Sequence, residues 1–400
     1  MTTDLSIIAA DIPGQLNRFY LIDQNFDFIP EVKALIDSRI NSRRFTSPNS
    51  TKSLCNQLRW YYRFLNQKNL AVLEVQPRDL ADFSLWLRHP YRRGQTQPNA
   101  LSIKTVNQVQ SAVASLYKFL VRRGELTESP VVYEDIPRWR GASVDHSLLG
   151  HLSQGKTVGQ RMEISIKPPK TLPKTVNSRD FQAFLESIGV SPSTSRHPSQ
   201  FRNRLMVLIL RETGLRCGEL LGLHMEDIDF GANGLNVRFR ADNENGARAK
   251  AGYGRDRFVF CPPELFALLD TYISEVWVEA NHKSAYLWLT LQRHAVDREG
   301  RSSFGKPLSQ TAVNEMFDYY SSKSGVKLHP HMLRHTHATD LVRSYLKQDK
   351  PVDWKFISDR LGHSSVVTTI ETYVHLTKED HKHAYQQYVD KREAAYVHSE

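Results

Sequence analysis

The stretch SIKTVNQVQSAVASLYKFLVRRG, residues 102–124, constrains the fold most strongly. Val106, Val109, Val113, Leu116 and Leu120 recur every three or four positions, which lays an apolar stripe along one face of an α-helix. Ser102 is placed to cap its N-terminus and Gly124 to stop it. Such a stripe must be covered by other elements, and the preceding sequence supplies them. In TKSLCNQLRWYYRFLNQ, Leu54, Leu58, Tyr61 and Leu65 repeat the helical period, and PRDLADFSLWLRHP adds a shorter helix. These segments predict an all-helical domain over residues 46–140. The short apolar runs of residues 1–45 show no sustained period and read as an N-terminal extension. Lys104, Lys118, Arg122 and Arg123 lie off the apolar stripe, as a solvated basic face or as a surface for a polyanion.

Residues 141–174 are rich in Gly, Ser, Pro and Lys and read as an interdomain linker with a basic end. A second domain is expected over 175–380. SRDFQAFLESIG, FRNRLMVLILRETG and CGELLGL read as helices, and then the period changes. In GLNVRFRA, Leu235, Val237 and Phe239 alternate with Asn236, Arg238 and Arg240, the pattern of a half-buried strand. DRFVFCP is its expected hairpin partner, across a loop carrying Lys250. Helices are expected again at 263–278, 309–322, 331–346, 353–361 and 366–374. The fold class is therefore mainly α with one small antiparallel β-sheet in the second domain. Residues 381–400 read as a mostly polar tail helix.

A length of 400 residues favours two domains, and a formal charge of +10 favours a polyanionic partner. No run is long and apolar enough for a membrane span, and the N-terminus has no basic region of the signal-peptide kind, so the cytoplasm is the expected compartment. Cys55, Cys217 and Cys261 are far apart and form no CxxC pair, which argues against a disulfide framework or a thiolate zinc site.

The stretch HPHMLRHTHATD, residues 329–340, concentrates four histidines and one arginine. His331 and His335 stand one helical turn apart, a spacing that could hold a metal, and His363 could join them. There is no HExxH, however, and Arg334 shares their face, where its charge would oppose a divalent cation. Taken singly, the other polar residues also have plain structural readings. Arg216 could cap a helix, Lys250 could be a solvated loop charge, His363 could be a hydrogen-bonded core residue, and Tyr373 shares an apolar stripe with Ile370.

Their order changes that reading. TGLRCGEL, a hairpin lysine, HxLRH, LGH and a tyrosine ten residues beyond His363 resemble the signature of the tyrosine recombinase (phage integrase) family, over roughly residues 175–380. DNENGARAK and LGHSSVVTTIETYVHL are most similar to its transposase A branch. The resemblance implies a two-domain DNA clamp, with a helical SAM-like core-binding domain and a catalytic domain gripping the duplex. It implies strand cleavage and rejoining through a 3′-phosphotyrosyl intermediate, with no cofactor, ATP or metal. Arg216, Lys250, His331, Arg334, His363 and Tyr373 would be catalytic, with Tyr373 the nucleophile and Lys250 the general acid. Glu219 and His335 would support them. Lys104, Lys118, Arg122, Arg123, Arg238 and Arg240 are expected to contact DNA. Partners implied are double-stranded DNA at element ends and target, a dimer per site, a tetramer in the synapse, and accessory transposition proteins in a bacterial cytoplasm. Tyr385 and Tyr388 are weaker alternatives for the nucleophile.

The same residues fit a known chemistry. Two guanidiniums can clamp the non-bridging oxygens of a phosphodiester bidentately, which lysines cannot match. Free tyrosine, with a pKa near 10, needs assistance to lose its proton at neutral pH. Two competing functions are a DNA-binding protein that lost the chemistry and a relaxing type IB topoisomerase. The complete residue set disfavours the first, and the spacing and separate helical domain disfavour the second.

Overall fold

The computed structural model describes residues 5–10, 18–45, 47–89, 101–137, 158–167, 169, 172–189, 197–240, 243–247, 256–280, 283–296, 300–348, 350–374 and 376. They fall into two units, Met1–Lys170 and Thr171–Glu400.

The first unit opens with an antiparallel hairpin of β1 (Ser6–Ala10) and β2 (Arg18–Ile22), in register from Ser6 opposite Ile22 to Ala10 opposite Arg18. Helices α1 (Pro30–Asn41), α2 (Pro48–Lys68), α3 (Pro77–Arg88) and α4 (Ile103–Arg122) follow. The first three start on proline, whose fixed φ suits the opening turn of a helix. At α4 the Ser102 hydroxyl accepts from the Thr105 N–H at 3.1 Å, and Gly124 lies beyond its end at φ 74°. Val106, Val109, Val113, Leu116 and Leu120 are all buried, against a core that includes Leu54, Leu58, Tyr61 and Leu65 of α2.

Two expectations for this unit need correction. Leu5, Tyr20, Leu21, Val32, Leu35 and Ile36 belong to the same apolar core, so the hairpin and α1 complete the helical unit rather than extend from it. Strands of five residues are too short to show a period, and the buried residues of β2 are covered by packing against the helices. Within the stretch expected to be a linker, β4 (Val158–Met162) pairs antiparallel with β3 (Tyr133–Pro137). Nearby, the Asn107 side chain donates to the Ile166 carbonyl at 2.6 Å and accepts its N–H at 3.0 Å, fastening that segment to α4.

The second unit begins with α5 (Ser178–Ile188), α6 (Pro198–Thr213) and α7 (Cys217–Leu221). A three-stranded antiparallel sheet follows, in the order β5 (Ile228–Asp229), β6 (Gly234–Val237), β7 (Arg257–Phe260). Helix α8 (Pro263–Tyr272) runs through a π turn at Ile273–Trp277 into α9 (Val278–Ala280). Then come α10 (Gln310–Ser324), α11 (Pro330–Lys347), α12 (Trp354–Leu361) and α13, residues 366–374. The core gathers Leu205, Met206, Ile209 and Leu210 of α6 with Tyr272, Trp288 and Leu333. The sheet pairing stops at Val237, short of the strand expected through Phe239, and β5 was not expected. A smaller apolar cluster of Ala338, Val342, Ile357, Leu361, Tyr373 and Leu376 joins α11, α12 and α13. Among the described residues, no helix is long and apolar enough to cross a membrane.

Candidate active site

The site is assembled where the end of α6, the start of α7 and the end of α12 meet α11. Gly214 terminates α6 in the left-handed region at φ 67°, and a Cβ there would lie 2.7 Å from the His337 ring. Glycine meets both demands, and the sharp turn sets Arg216 at the N-cap of α7. Arg216 donates from Nη1 to Glu219 Oε1 at 2.7 Å and from Nη2 to the Gly362 carbonyl at 3.1 Å. Its backbone N–H is held by Glu219 Oε2 at 2.9 Å.

Glu219 has no exposed side-chain surface. From the sheet, Arg257 reaches its other side, with Nη2 2.7 Å from Oε2 and Nη1 3.1 Å from Oε1. Burial alone would raise the Glu219 pKa, but the Arg257 hydrogen bonds and charge, then Arg216, hold it below the usual carboxylate range. Arg257 also donates from Nε to the Arg360 carbonyl at 3.1 Å, which ties β7 to the end of α12. Sequence reasoning gave Arg257 no role. The missed signal was its place two residues before buried Val259, on the inward face of a strand, where an arginine needs an anion.

Arg334 is only 2% exposed and is clamped by two carbonyls, Gly214 at 2.8 Å from Nη1 and Leu361 at 2.7 Å from Nη2. Those bonds use two of the five N–H donors of a guanidinium. Its pKa is pushed down to about 9, by burial first and then by Arg216. His363 follows Gly362, the left-handed C-cap of α12, and its Nδ1 pairs with the Thr369 hydroxyl at 2.7 Å. Burial, then Arg334 and Arg216, lower its pKa to about 4.

Tyr373 on α13 is 1% exposed, and its hydroxyl lies 2.7 Å from Nδ1 of His335. Burial pushes the phenol up to about 12, with Arg334 pulling the other way. The His335 ring lies edge-on to His331, with centroids 4.4 Å apart, and His331 is exposed. The four histidines of 329–340 thus separate by task. His329 caps α11 by accepting the Met332 N–H at 3.2 Å, and His337 accepts from Nε of Arg360 at 2.9 Å. Among the described residues, no group of three or more His, Cys, Asp or Glu is placed to hold a metal ion.

Lys250, Tyr385 and Tyr388 lie outside the described residues. Of the expected DNA-contacting residues, Arg240 is committed elsewhere. It is 15% exposed and pairs with Asp227 at 2.7 and 2.8 Å and with Glu226 at 2.7 Å, which satisfies its charge inside the protein. Those carboxylates raise its pKa. Arg238 is more open, with the same two carboxylates at 3.6 Å. Arg123 pairs with Glu125 at 2.8 Å. Lys118 and Arg122 are exposed and line one cleft with Arg39, Arg44 and Arg161, and Lys104 lines a neighbouring cleft that shares Arg39.

The Phage integrase family pattern matches residues 183–380, and the pattern of its N-terminal SAM-like domain matches residues 37–124. The chain belongs to the phage integrase family, the tyrosine recombinases. It is thereby an enzyme of site-specific DNA recombination. This recombinase is 29% identical to transposase A from transposon Tn554 of Staphylococcus aureus, over 94% of this chain and 95% of that one. It is 24% identical to tyrosine recombinase XerC of Listeria innocua, over 87% and 94%. Its fold resembles the Tn1549 transposon integrase in complex with transposon right end DNA (TM-score 0.57, 17% identity, 90% and 99% of the two chains). It also resembles XerH site-specific recombinase bound to its difH substrate (TM-score 0.54, 20% identity, 84% and 79%).

Proposed function

We propose that this recombinase serves a mobile element, cutting and rejoining DNA at the element's ends and target through a 3′-phosphotyrosyl bond on Tyr373. One observation supports this most strongly. Arg216, Arg257 and Arg334 converge around a single carboxylate, Glu219, and Arg334 and His363 have pKa values pushed down by burial and by that surplus of positive charge. An anion would relieve the surplus, and a phosphodiester has the planar pairs of oxygens that guanidiniums bind bidentately. A buried tyrosine hydroxyl stands beside this charge, close enough that Arg334 lowers its pKa.

In this reading Arg216 and Arg334 hold the non-bridging oxygens as negative charge grows on them, and His363 adds a hydrogen bond. His331, exposed on the same helix, reaches the phosphate or the nucleophile's proton. Glu219 orients Arg216, and Lys250 protonates the departing 5′-oxygen. The covalent link conserves the energy of the broken bond, so rejoining to another strand needs no ATP. The lengthwise similarity to transposase A supports a transposon rather than a chromosomal site.

The helical unit, proposed as residues 46–140 together with the hairpin and α1, would bind duplex DNA along the clefts of Lys104, Lys118 and Arg122. The catalytic domain would span 175–380, with the basic stretch of 141–174 between them. Arg238 and Arg123 would add weaker contacts. Two copies would occupy each site and four the synapse, with the tail of 381–400 packing on a neighbouring copy and with accessory proteins where the element supplies them. A nicked duplex of element-end sequence tests the chemistry, because loss of the short 5′ fragment traps the covalent state. Arg334→Lys should slow adduct formation about a hundred- to thousandfold while binding persists. An unchanged rate would remove the phosphate clamp from the proposal.

A further inference from the structure

We infer that His335 takes the proton of Tyr373 during strand cleavage and returns it on rejoining, which leaves His331 to the phosphate. The inference rests on Tyr373 being the nucleophile. Its basis is the contact between His335 Nδ1 and the Tyr373 hydroxyl at 2.7 Å, made in a place where Tyr373 is 1% exposed. With so little of Tyr373 open to water, His335 is the side chain positioned to receive its proton. The His335 ring neighbours both the Tyr373 ring, at 5.9 Å between centroids, and the His331 ring, at 4.4 Å. His331 is exposed and lies one turn earlier on α11, so its ring is open to an incoming phosphate. The two histidines thus divide between nucleophile and substrate.

Burial, then His331, Arg334 and His329, hold the His335 pKa down at about 4, so the imidazole is neutral and Nδ1 is free to accept. With Nδ1 accepting, the ring hydrogen resides on Nε2. As the tyrosine oxygen bonds to phosphorus, its O–H electron pair becomes that new bond and the proton passes to Nδ1, forming an imidazolium. The bond from phosphorus to the 5′-oxygen breaks, and that oxygen takes its proton from a separate acid. On rejoining, the 5′-hydroxyl attacks, the tyrosine oxygen leaves, and Nδ1 gives the proton back. The surrounding cations oppose the imidazolium until a phosphodiester brings negative charge between Arg216 and Arg334. Tyr373 is therefore kept protonated in the free enzyme and becomes reactive on DNA.

The test uses the full chain with 3-fluorotyrosine at position 373, whose fluorine resonance reports the hydroxyl's hydrogen bond without DNA. Its second readout is the single-turnover rate of covalent adduct on a nicked duplex of the sequence flanking the gene. His335→Phe should move the resonance and slow the rate about a hundredfold or more, with DNA affinity unchanged. His335→Asn, whose amide oxygen accepts a hydrogen bond but does not hold the proton, should restore the resonance and leave the rate at least about tenfold low. A sulfur in place of the 5′-oxygen, which departs without an acid, should leave the His335→Phe defect in place. Recovery of the rate in His335→Asn, recovery with the sulfur substrate, or an unslowed His335→Phe would each overturn the assignment. An inert wild-type enzyme on DNA that it binds would instead overturn the nucleophile reading beneath it.

Discussion

At the scale of single residues, the site is organised by an imbalance of charge. Glu219 is fully buried between Arg216 and Arg257, and a buried ion pair broken from one side leaves a charge that nothing compensates. Glu219→Ala should cost about 3–5 kcal/mol in urea unfolding; a loss below about 1 kcal/mol would mean that solvent replaces the carboxylate. Because the folded pKa of Glu219 is depressed, its contribution is present above the ordinary carboxylate range and is lost as pH falls through the folded value. Three partly or fully buried histidines act over a higher window. His335, His337 and His363 have folded pKa values of about 4, 3 and 4, so from pH 6.5 downward the unfolded chain binds protons that the folded one does not. The urea midpoint should therefore be lower at pH 5 than at pH 7, and a flat or rising midpoint would contradict these neutral histidines. That Arg216, Arg334, His363 and Tyr373 come near one another was legible, because each sits at a fixed offset in a short motif. The contact of His335 with Tyr373 was not, since it spans 38 residues and depends on how α11 and α13 pack.

At the scale of elements, termini matter more than helix interiors. Gly214 ends α6, lends its carbonyl to Arg334, and leaves room only for a hydrogen against His337. Gly214→Ala should destabilise the chain by about 1–3 kcal/mol, from the left-handed backbone and the close contact, and should also weaken adduct formation by moving that carbonyl. A thermal midpoint equal to wild type would show that the turn relaxes freely. Helices were readable in the sequence where stripe and cap agreed, as at α4 with Ser102 and Gly124, and those expected at 309–322, 331–346, 353–361 and 366–374 also form. The hairpin of β1 and β2, the pairing of β3 with β4, and β5 were missed. Such short strands carry no period, and polar ones such as β4 look like a linker until a partner is found. Arg240, expected to contact DNA, shows what strand pairing decides: the pairing ends at Val237, and the chain beyond it delivers Arg240 to Asp227 and Glu226.

For the whole molecule, a charge of +10 on 400 residues predicts that binding to DNA weakens steeply with salt. Replacing Lys118 and Arg122 together by glutamine should reduce the slope of log affinity against log salt by about 2, one unit for each lost phosphate contact, with little change in sequence preference. An unchanged slope would place the DNA elsewhere on the helical unit. The central claim is that Tyr373 becomes joined to DNA. Adduct trapped on a nicked element-end duplex, digested and analysed by peptide mass spectrometry, should carry the residual nucleotide on the peptide that contains Tyr373, and Tyr373→Phe should form none. A nucleotide on Tyr385 or Tyr388, or an adduct persisting in Tyr373→Phe, would contradict it.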